Sequence, residues 1–435
     1  MKKAAFYTLG CKVNQYETEA ISGLFEKEGY EIVGFDEKAD VYVINTCTVT
    51  NLSDRKSRQM IRRAKHNNED SIVVVAGCYA QTAPGEVSSI PGVNLVIGTK
   101  DRSRIIEHIR KIESDRAQIV QVEDIMHTKG FEELVLDNYK ERTRAFLKIQ
   151  EGCSQFCTYC IIPYARGPIR SRLPGDVLCE VEKLAGAGFK EVVLTGIHIA
   201  SYGKDIRGTS LLDIIGKIHA IEGIERIRLG SIEPTTITRE FVAAAGSMEK
   251  LCPHYHISLQ SGCDETLKRM NRKYTTAMYR EAVEMLRRNI PDVAVTTDVM
   301  VGFPGETEEE FSKTYEFLRE IAFMKMHIFK YSPRKGTPAA DFTGQIAPEK
   351  KEERSNLLLK LSDANAFSFN SSFKGRVMPV LFEQEAVPGE GILEGHTPNY
   401  IRVLCKAEPA MKGNIHGVRL DRSVGDYMEG DIVIP

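Results

Sequence analysis

Three cysteines lie within eight residues of one another in the stretch Glu151-Gly152-Cys153-Ser154-Gln155-Phe156-Cys157-Thr158-Tyr159-Cys160. This central triad (Cys153, Cys157 and Cys160) has the spacing C-x-x-x-C-x-x-C and follows an apolar run that predicts a β-strand. No fourth Cys or His follows at zinc-finger spacing, and an odd, tight cluster suits disulfides poorly. Three thiolates can hold three corners of a [4Fe-4S] cluster and leave one iron open. The alternative is an incomplete zinc knuckle that borrows a distant ligand.

The composition is that of a soluble globular protein from a reducing compartment. The chain has 435 residues, 42% hydrophobic and 27% charged, which is enough for two or three domains. A formal net charge of -2 means that any nucleic-acid contact is local. Ten cysteines without a secretory context indicate thiols used for metal binding or chemistry. No stretch approaches a membrane span, so we expect a cytoplasmic protein without a membrane partner.

Residues 1 to about 125 alternate apolar runs with helical patterns, which predicts a parallel α/β sheet. The expected strands are residues 4–9, 40–45, 72–76 and 95–97, and the expected helices are residues 14–27, 52–67 and one from Asp101. Cys11, Cys47 and Cys78, here called the N-terminal triad, each follow one of these strands. Because the carboxyl ends of parallel strands share one edge, we expect the three thiols to converge. A second cluster site is favoured over three buried structural cysteines.

A second region, residues 144 to 332, repeats the strand-helix alternation six times. Its strands are predicted to begin near Ala145, Glu191, Arg226, Tyr255, Ala294 and Met324. Six repeats are too few for a closed eight-stranded barrel, so an open (β/α)₆ barrel is expected, with the central triad after its first strand. Polar and glycine clusters follow the other strands and line the same rim.

The last region, from about residue 370 to 435, has short β-rich runs broken by Gly and Pro, which predicts a small β-barrel. The expected runs are residues 377–382, 400–404 and 432–434. The region holds seven Lys and Arg against nine Asp and Glu, so its charge alone does not indicate RNA binding. The predicted domains are therefore residues 1–125, 140–366 and 367–435.

The spacing of the central triad, with Tyr159 before its last cysteine, resembles the signature of the radical S-adenosylmethionine (SAM) enzymes. Residues 8–17, 45–50 and 77–80, around the N-terminal triad, resemble the first domain of the methylthiotransferases of that group. The resemblance implies two [4Fe-4S] clusters. One, on the central triad, binds SAM and cleaves it to a 5′-deoxyadenosyl radical, and the other, on the N-terminal triad, takes part in sulfur delivery. It also implies that the final module is a TRAM-like RNA-binding barrel.

The same resemblance nominates contacts with SAM. The candidates are Tyr159, Gly196, Ser231, Glu233 and Gln260. Two arginines just after the central triad, Arg166 and Arg172, can clamp a carboxylate or phosphate, or form structural ion pairs.

A run of cations follows Cys47. Its members with three-to-four spacing are Arg55, Arg58, Arg62 and Lys65. They predict a positive stripe along one helix face, which is either a solvated surface or a docking site for RNA phosphates.

The substrates of the resembled family are modified adenosines in tRNA and an aspartate of a ribosomal protein. Residues 10–17, 54–59 and 161–167 look most like the branch that acts on N6-threonylcarbamoyladenosine at position 37, next to the anticodon. We therefore predict addition of a methylthio group to C2 of this base. The expected partners are the anticodon stem-loop of tRNA and an external electron donor, with no DNA partner. A carboxylate-bearing substituent needs a cationic partner in its pocket, and the sequence does not identify that cation.

Several alternatives stay open at this point. Within the family, the substrate is instead N6-isopentenyladenosine in tRNA or the ribosomal-protein aspartate. Outside it, the chain is a two-cluster electron carrier, which would leave the six-repeat barrel without a role, or an RNA-binding protein with structural zinc.

Overall fold

The computed structural model describes residues 1–134 and 143–433. Within them the chain forms a parallel sheet, an open parallel barrel and a closed five-stranded barrel, in that order. The predicted fold class is confirmed. None of the helices in the described residues is long and apolar enough to cross a membrane.

The first sheet is six-stranded and parallel, with the order β2-β1-β3-β4-β5-β6. Its strands are β1 (Lys3–Thr8), β2 (Glu31–Val33), β3 (Val41–Thr46), β4 (Ile72–Gly77), β5 (Val93–Ile97) and β6 (Ile119–Gln121). Its helices are α1 (Lys12–Lys27), α2 (Asn51–Asn67), α3 (Cys78–Thr82), α4 (Pro84–Ser88) and α5 (Ile105–Asp115). Helices α1 and α5 pack against one face, whereas α2 packs against the other. The two edge strands, β2 and β6, were not predicted.

The second region forms six parallel strands whose starts agree with the predicted ones to within one residue. They are β7 (Arg144–Glu151), β9 (Glu191–Gly196), β10 (Arg226–Leu229), β11 (His254–His256), β12 (Ala294–Val301) and β13 (Lys325–Lys330), and a short β8 (Arg170–Ser171) runs antiparallel to β7. Two sheets, β10-β9-β7-β8 and β11-β12-β13, which are parallel except for β8, are joined by single bridges such as Ile227 to Leu251. Within the described residues β7 and β13 do not pair, so the barrel is open.

Seven helices accompany these strands. They are α6 (Ile162–Arg166), α7 (Pro174–Gly186), α8 (Leu211–His219), α9 (Arg239–Ser247), α10 (Asp264–Arg269), α11 (Thr276–Asn289) and α12 (Glu308–Ile321). The sequence sets their starts locally: at α12 the Thr307 hydroxyl accepts from the Glu310 N–H, and the Glu310 carboxylate accepts from the Thr307 N–H. Aliphatic side chains from strands and helices form one continuous core around the barrel.

Helix α13 (Pro348–Ser371) leads from the open barrel to the closed one. The strands of the closed barrel are β14 (Val377–Val387), β15 (Ile392–His396), β16 (Arg402–Lys406), β17 (Ile415–Val424) and β18 (Tyr427–Ile432). Their order is β14-β15-β16-β18-β17, with β16 and β18 parallel and the other pairs antiparallel. The predicted β-barrel is confirmed, although β15 and β17 were not predicted. The predicted run 432–434 overlaps β18 only at Ile432, and Ile434 lies outside the described residues.

Two arginines of β10 join the two barrels. The guanidinium of Arg226 donates to the carbonyl of His396 at 2.9 Å, and that of Arg228 donates to the carbonyl of Pro398 at 3.0 Å. Arg228 is fully buried and also donates to Glu191 at 2.8 Å. Burial alone would raise the pKa of Glu191, but Arg228 lowers it to about 2. This carboxylate therefore compensates the positive charge buried at the interface.

Replacing Glu191 by Gln should leave that charge buried without its carboxylate. Loss of one partner from a buried ion pair costs about 3–5 kcal/mol, so the free energy of unfolding should fall by that amount. Chemical denaturation measures the change. The matched control is Glu225→Gln, which breaks a half-exposed pair with Lys190 and should cost less than about 1 kcal/mol. Equal losses in the two variants would contradict the role assigned to Glu191.

Candidate active site

The N-terminal triad lies at the carboxyl edge of the first sheet. Cys11 is the N-cap of α1 after β1, Cys47 follows β3, and Cys78 begins α3 after β4. These strands are neighbours in the sheet, so the three thiols converge as the topology predicts. Gly10 has a φ of 103°, and a Cβ there would lie 2.9 Å from the Cys47 sulfur. Only glycine allows the backbone to approach the triad so closely.

Burial and one arginine dominate the environment of this triad. Burial raises the pKa of the Cys78 thiol to about 12 and also raises that of Cys47. The Nε of Arg166, a fully buried side chain, donates to the Cys78 sulfur at 3.1 Å. A cationic donor at this distance stabilises the thiolate form that binds metal.

The central triad occupies the loop between β7 and α6. The Cys153 N–H donates to the carbonyl of Gly167 at 3.0 Å, and the Cys160 N–H donates to that of Cys157 at 2.9 Å. Burial raises the pKa of Cys153 to about 11 and that of Cys160 to about 12. The guanidinium of Arg272 donates to the Cys157 sulfur at 3.1 Å. Each triad therefore has one arginine bonded to one of its sulfurs.

The donor chemistry of each triad fits an iron-sulfur cluster. Within each triad the cysteines are close enough to interact electrostatically. Each triad offers three thiols, which can bind three irons of a [4Fe-4S] cluster and leave the fourth iron open. A structural zinc site takes four ligands, so three thiols alone do not complete one.

The five residues nominated as SAM contacts lie in three places. Tyr159 and Gln260 line a cavity of about 220 Å³ together with Cys160. Gln260 has a φ of 70°, a left-handed conformation that is strained in a non-glycine residue and is often found at functional sites. Gly196 and Ser231 line a larger cavity.

Glu233, the fifth nominated residue, is held by charged neighbours. Its carboxylate accepts from Arg272 at 2.9 Å and lies 3.4 Å from the Nε2 of His198. Burial would raise the pKa of Glu233, but these two partners bring it below its usual value. Arg272 thus links a central-triad sulfur to a nominated SAM contact. Sequence reasoning missed Arg272, although the basic cluster at residues 268–273 was a signal.

The larger cavity, of about 780 Å³, is formed by all three modules. The first contributes Cys11 and Lys12, the open barrel contributes its rim, and the closed barrel contributes His396 and Tyr400. Asp298 and Phe329 line both this cavity and the smaller one, so the two adjoin. The combined space extends from Cys11 of the N-terminal triad to Cys160 of the central triad. Its volume is in the range that encloses a modified nucleoside.

Arg166 and Arg172 act as structural ion pairs, one of the two roles left open by the sequence. Arg166 contacts Glu17 at 2.6 Å and Glu151 at 3.2 Å, and Arg172 contacts Glu180 at 2.5 Å. Both guanidinium groups are buried. Neither is therefore available to clamp a substrate.

The four cations of the predicted positive stripe on α2 fall into two groups, one bonded within the protein and one exposed. Arg58 donates to the Tyr79 hydroxyl and to Glu86, and the Lys65 ammonium donates to two backbone carbonyls. Arg55 and Arg62 are exposed. Of the four stripe cations, Arg55 and Arg62 are therefore the two most open to solvent.

The chain matches two known protein families over separate ranges. Residues 3–98 match the uncharacterized protein family UPF0004, and residues 147–318 match the radical SAM superfamily. Among solved structures, the fold is similar to the radical S-adenosylmethionine methyltransferase TsrM from Kitasatospora setae. The TM-score is 0.56 at 17% identity, over 78% of this chain and 77% of that one. The fold and the central triad thus define a radical SAM enzyme, which has a [4Fe-4S] cluster and SAM as cofactors.

Curated relatives extend over the whole chain. It is 46% identical to the threonylcarbamoyladenosine tRNA methylthiotransferase MtaB of Bacillus subtilis, over 100% of this chain and 97% of the relative. It is 43% identical to the MtaB of Aquifex aeolicus, over 88% and 93%. It is also 36% identical to the tRNA-2-methylthio-N(6)-dimethylallyladenosine synthase of Pelotomaculum thermopropionicum, over 95% and 94%. The chain belongs to the family of radical SAM tRNA methylthiotransferases.

Proposed function

We propose that the protein adds a methylthio group to C2 of N6-threonylcarbamoyladenosine at position 37 of tRNA. The observation that carries the proposal is a pair of adjoining cavities, one lined by Cys11 and the other by Cys160, in a chain that is 46% identical, end to end, to a relative named for this nucleoside. Relatives named for dimethylallyladenosine are 33–36% identical, below the 46% and 43% of two MtaB proteins, whereas a third MtaB, of Thermotoga maritima, is 36% identical. A two-cluster electron carrier would have no use for a cavity of this size.

The two triads divide the work. When bound, the two [4Fe-4S] clusters and SAM supply the radical that attacks the C–H bond, the sulfur atom and the methyl group. The residues of the central triad hold one cluster, and those of the N-terminal triad hold the other. Arg272 and Arg166 each stabilise a thiolate, and the adjoining cavities hold the base between the two sites. Tyr159, Gly196, Ser231, Glu233 and Gln260 orient SAM.

We assign domains to residues 1–125, 140–366 and 367–435, although residue 140 lies outside the described residues. The last domain is a TRAM-like module that places the anticodon stem-loop over the cavity, because His396, Tyr400 and Arg402 of this module line it. An external donor reduces the central cluster. The protein works in the cytoplasm, where its tRNA is found.

Deletion of the gene should remove the methylthio group from N6-threonylcarbamoyladenosine in bulk tRNA and leave the unthiolated nucleoside. Nucleoside mass spectrometry of parent and mutant cells measures this. Complementation with the intact gene should restore the modification, whereas Cys153→Ala should not. Loss of a methylthiolated isopentenyladenosine instead would refute the assigned substrate.

Triple Ala variants should separate the two triads. Loss of the central triad should abolish 5′-deoxyadenosine formation. Loss of the N-terminal triad should remove about half the iron and all methylthiolated product, but leave uncoupled 5′-deoxyadenosine formation. Iron content, 5′-deoxyadenosine and product are measured anaerobically. The matched control replaces Cys179, Cys252 and Cys405, which lie outside both triads, and should keep the iron. If the variant without the N-terminal triad kept its full iron content and formed methylthiolated product, these three cysteines would have a structural role only.

Charge reversal of Arg55 and Arg62 should weaken tRNA binding and flatten its dependence on salt, because two phosphate contacts are lost. Binding is measured over a series of salt concentrations. The matched control reverses Lys111 and Arg116, two exposed cations of α5 and its C-terminal end, on the opposite face of the sheet. Equal behaviour of the two double variants would make α2 an ordinary solvated helix.

A further inference from the structure

The larger cavity has more positive than negative charge among its lining side chains. The lining cations are Lys12, Arg228, Lys325 and Arg402, and the lining carboxylates are Asp298 and Asp426. Most of these cations are neutralised within the protein. The ion pairs are Arg228 to Glu191 at 2.8 Å, Lys325 to Asp426 at 3.0 Å, and Arg402 to Glu394 at 2.8 Å.

Lys12 is the exception: residues 1–134 and 143–433 place no carboxylate within salt-bridge distance of its ammonium. The ammonium lies 5.7 Å from the centre of the Phe146 ring. Its charged and titratable neighbours are the Tyr400 phenol, the His254 and His327 rings, and the guanidinium groups of Arg144 and Arg228. The Glu191 carboxylate also acts on Lys12, but beyond salt-bridge distance, and it is paired with those two arginines. The side chain is exposed, and it lines the cavity. Its charge is therefore available to a ligand in the cavity.

Helix stability does not explain a lysine at this position. Lys12 is the first residue of α1, and the macrodipole makes a cation at a helix N-terminus unfavourable. An anion bound beside the ammonium and the first turn of the helix would remove this conflict. The position is thus suited to a negatively charged ligand.

We propose that Lys12 binds the carboxylate of the threonylcarbamoyl group and so selects this nucleoside over adenosines with uncharged N6 substituents. The inference rests on the proposed function and deepens it. A carboxylate that enters the cavity loses water and needs a cationic partner. An uncharged isopentenyl group would leave Lys12 unpaired, and a polar site that loses its partner rejects such a ligand strongly.

A cycle of protein and substrate changes tests the proposal. Wild type and Lys12→Met each receive anticodon stem-loops with N6-threonylcarbamoyladenosine or with its carboxamide, in which a neutral amide replaces the carboxylate. Wild type should prefer the acid by about 10- to 100-fold in kcat/KM, the value of one charge-assisted hydrogen bond. Lys12→Met should lose this preference, and Lys12→Arg should recover most of it. The Kd of each stem-loop, measured without SAM by fluorescence anisotropy, should show the same pattern.

Lys27→Met, at the other end of α1, is the matched control and should keep the preference for the acid. Iron content and uncoupled 5′-deoxyadenosine formation in Lys12→Met should equal those of wild type, which excludes damage at Cys11. If Lys12→Met weakens acid and amide equally, Lys12 balances charge at the triad or contacts a phosphate, and the proposal is wrong. If the wild-type enzyme shows no preference for the acid over the carboxamide, the proposal is wrong whatever the variants show. A wild type that accepts only isopentenyladenosine refutes the proposed function itself.

Discussion

The buried carboxylate of Glu17 links the first module, which carries the N-terminal triad, to the open barrel, which carries the central triad. Three cations converge on it: Arg102 at 2.5 Å, Arg166 at 2.6 Å and Lys148 at 2.8 Å, all with almost no exposure. Burial raises the pKa of Glu17, but the three cations hold it well below its usual value. Such a network is stable only when every member is present, since an unpaired buried charge costs about 3–5 kcal/mol. Glu17 belongs to the helix that Cys11 caps, and Lys148 belongs to the strand before the central triad. The network therefore fixes one triad relative to the other.

The backbone around both triads could be predicted from the sequence because it is encoded locally. Apolar runs located the six barrel strands, and the rule that parallel strands share a carboxyl edge brought Cys11, Cys47 and Cys78 together. The short edge strands Glu31–Val33 and Ile119–Gln121 were not predicted, because three largely half-exposed residues give no periodic pattern. The charged contacts were not predicted for a different reason. Glu17 and Arg166 are 149 residues apart, and only the folded chain pairs them.

The same distinction applies to the candidate site. The cysteine motifs predicted two cluster sites, but the sequence did not reveal that an arginine donates to one sulfur in each triad. Hydrogen bonds to the sulfurs of a cluster tune its reduction potential, so Arg166 and Arg272 would each act on the potential of a cluster held by their triad. The sequence also could not show that Lys12 has no carboxylate within salt-bridge distance among the described residues. A lysine after a cysteine looks like any surface cation until its neighbours are known.

The closed barrel is built into the pocket. Tyr400 stacks between His254 of the open barrel and His396 of its own module, with centroid distances of 4.5 and 4.6 Å, and Arg228 lies over its ring at 4.6 Å. A module on a flexible tether could be exchanged between proteins during evolution without altering the cavity. Here the last module forms part of the cavity wall through His396 and Tyr400. A recombination that replaced the last module would replace part of that wall as well, so the closed barrel and the shape of the cavity are inherited together.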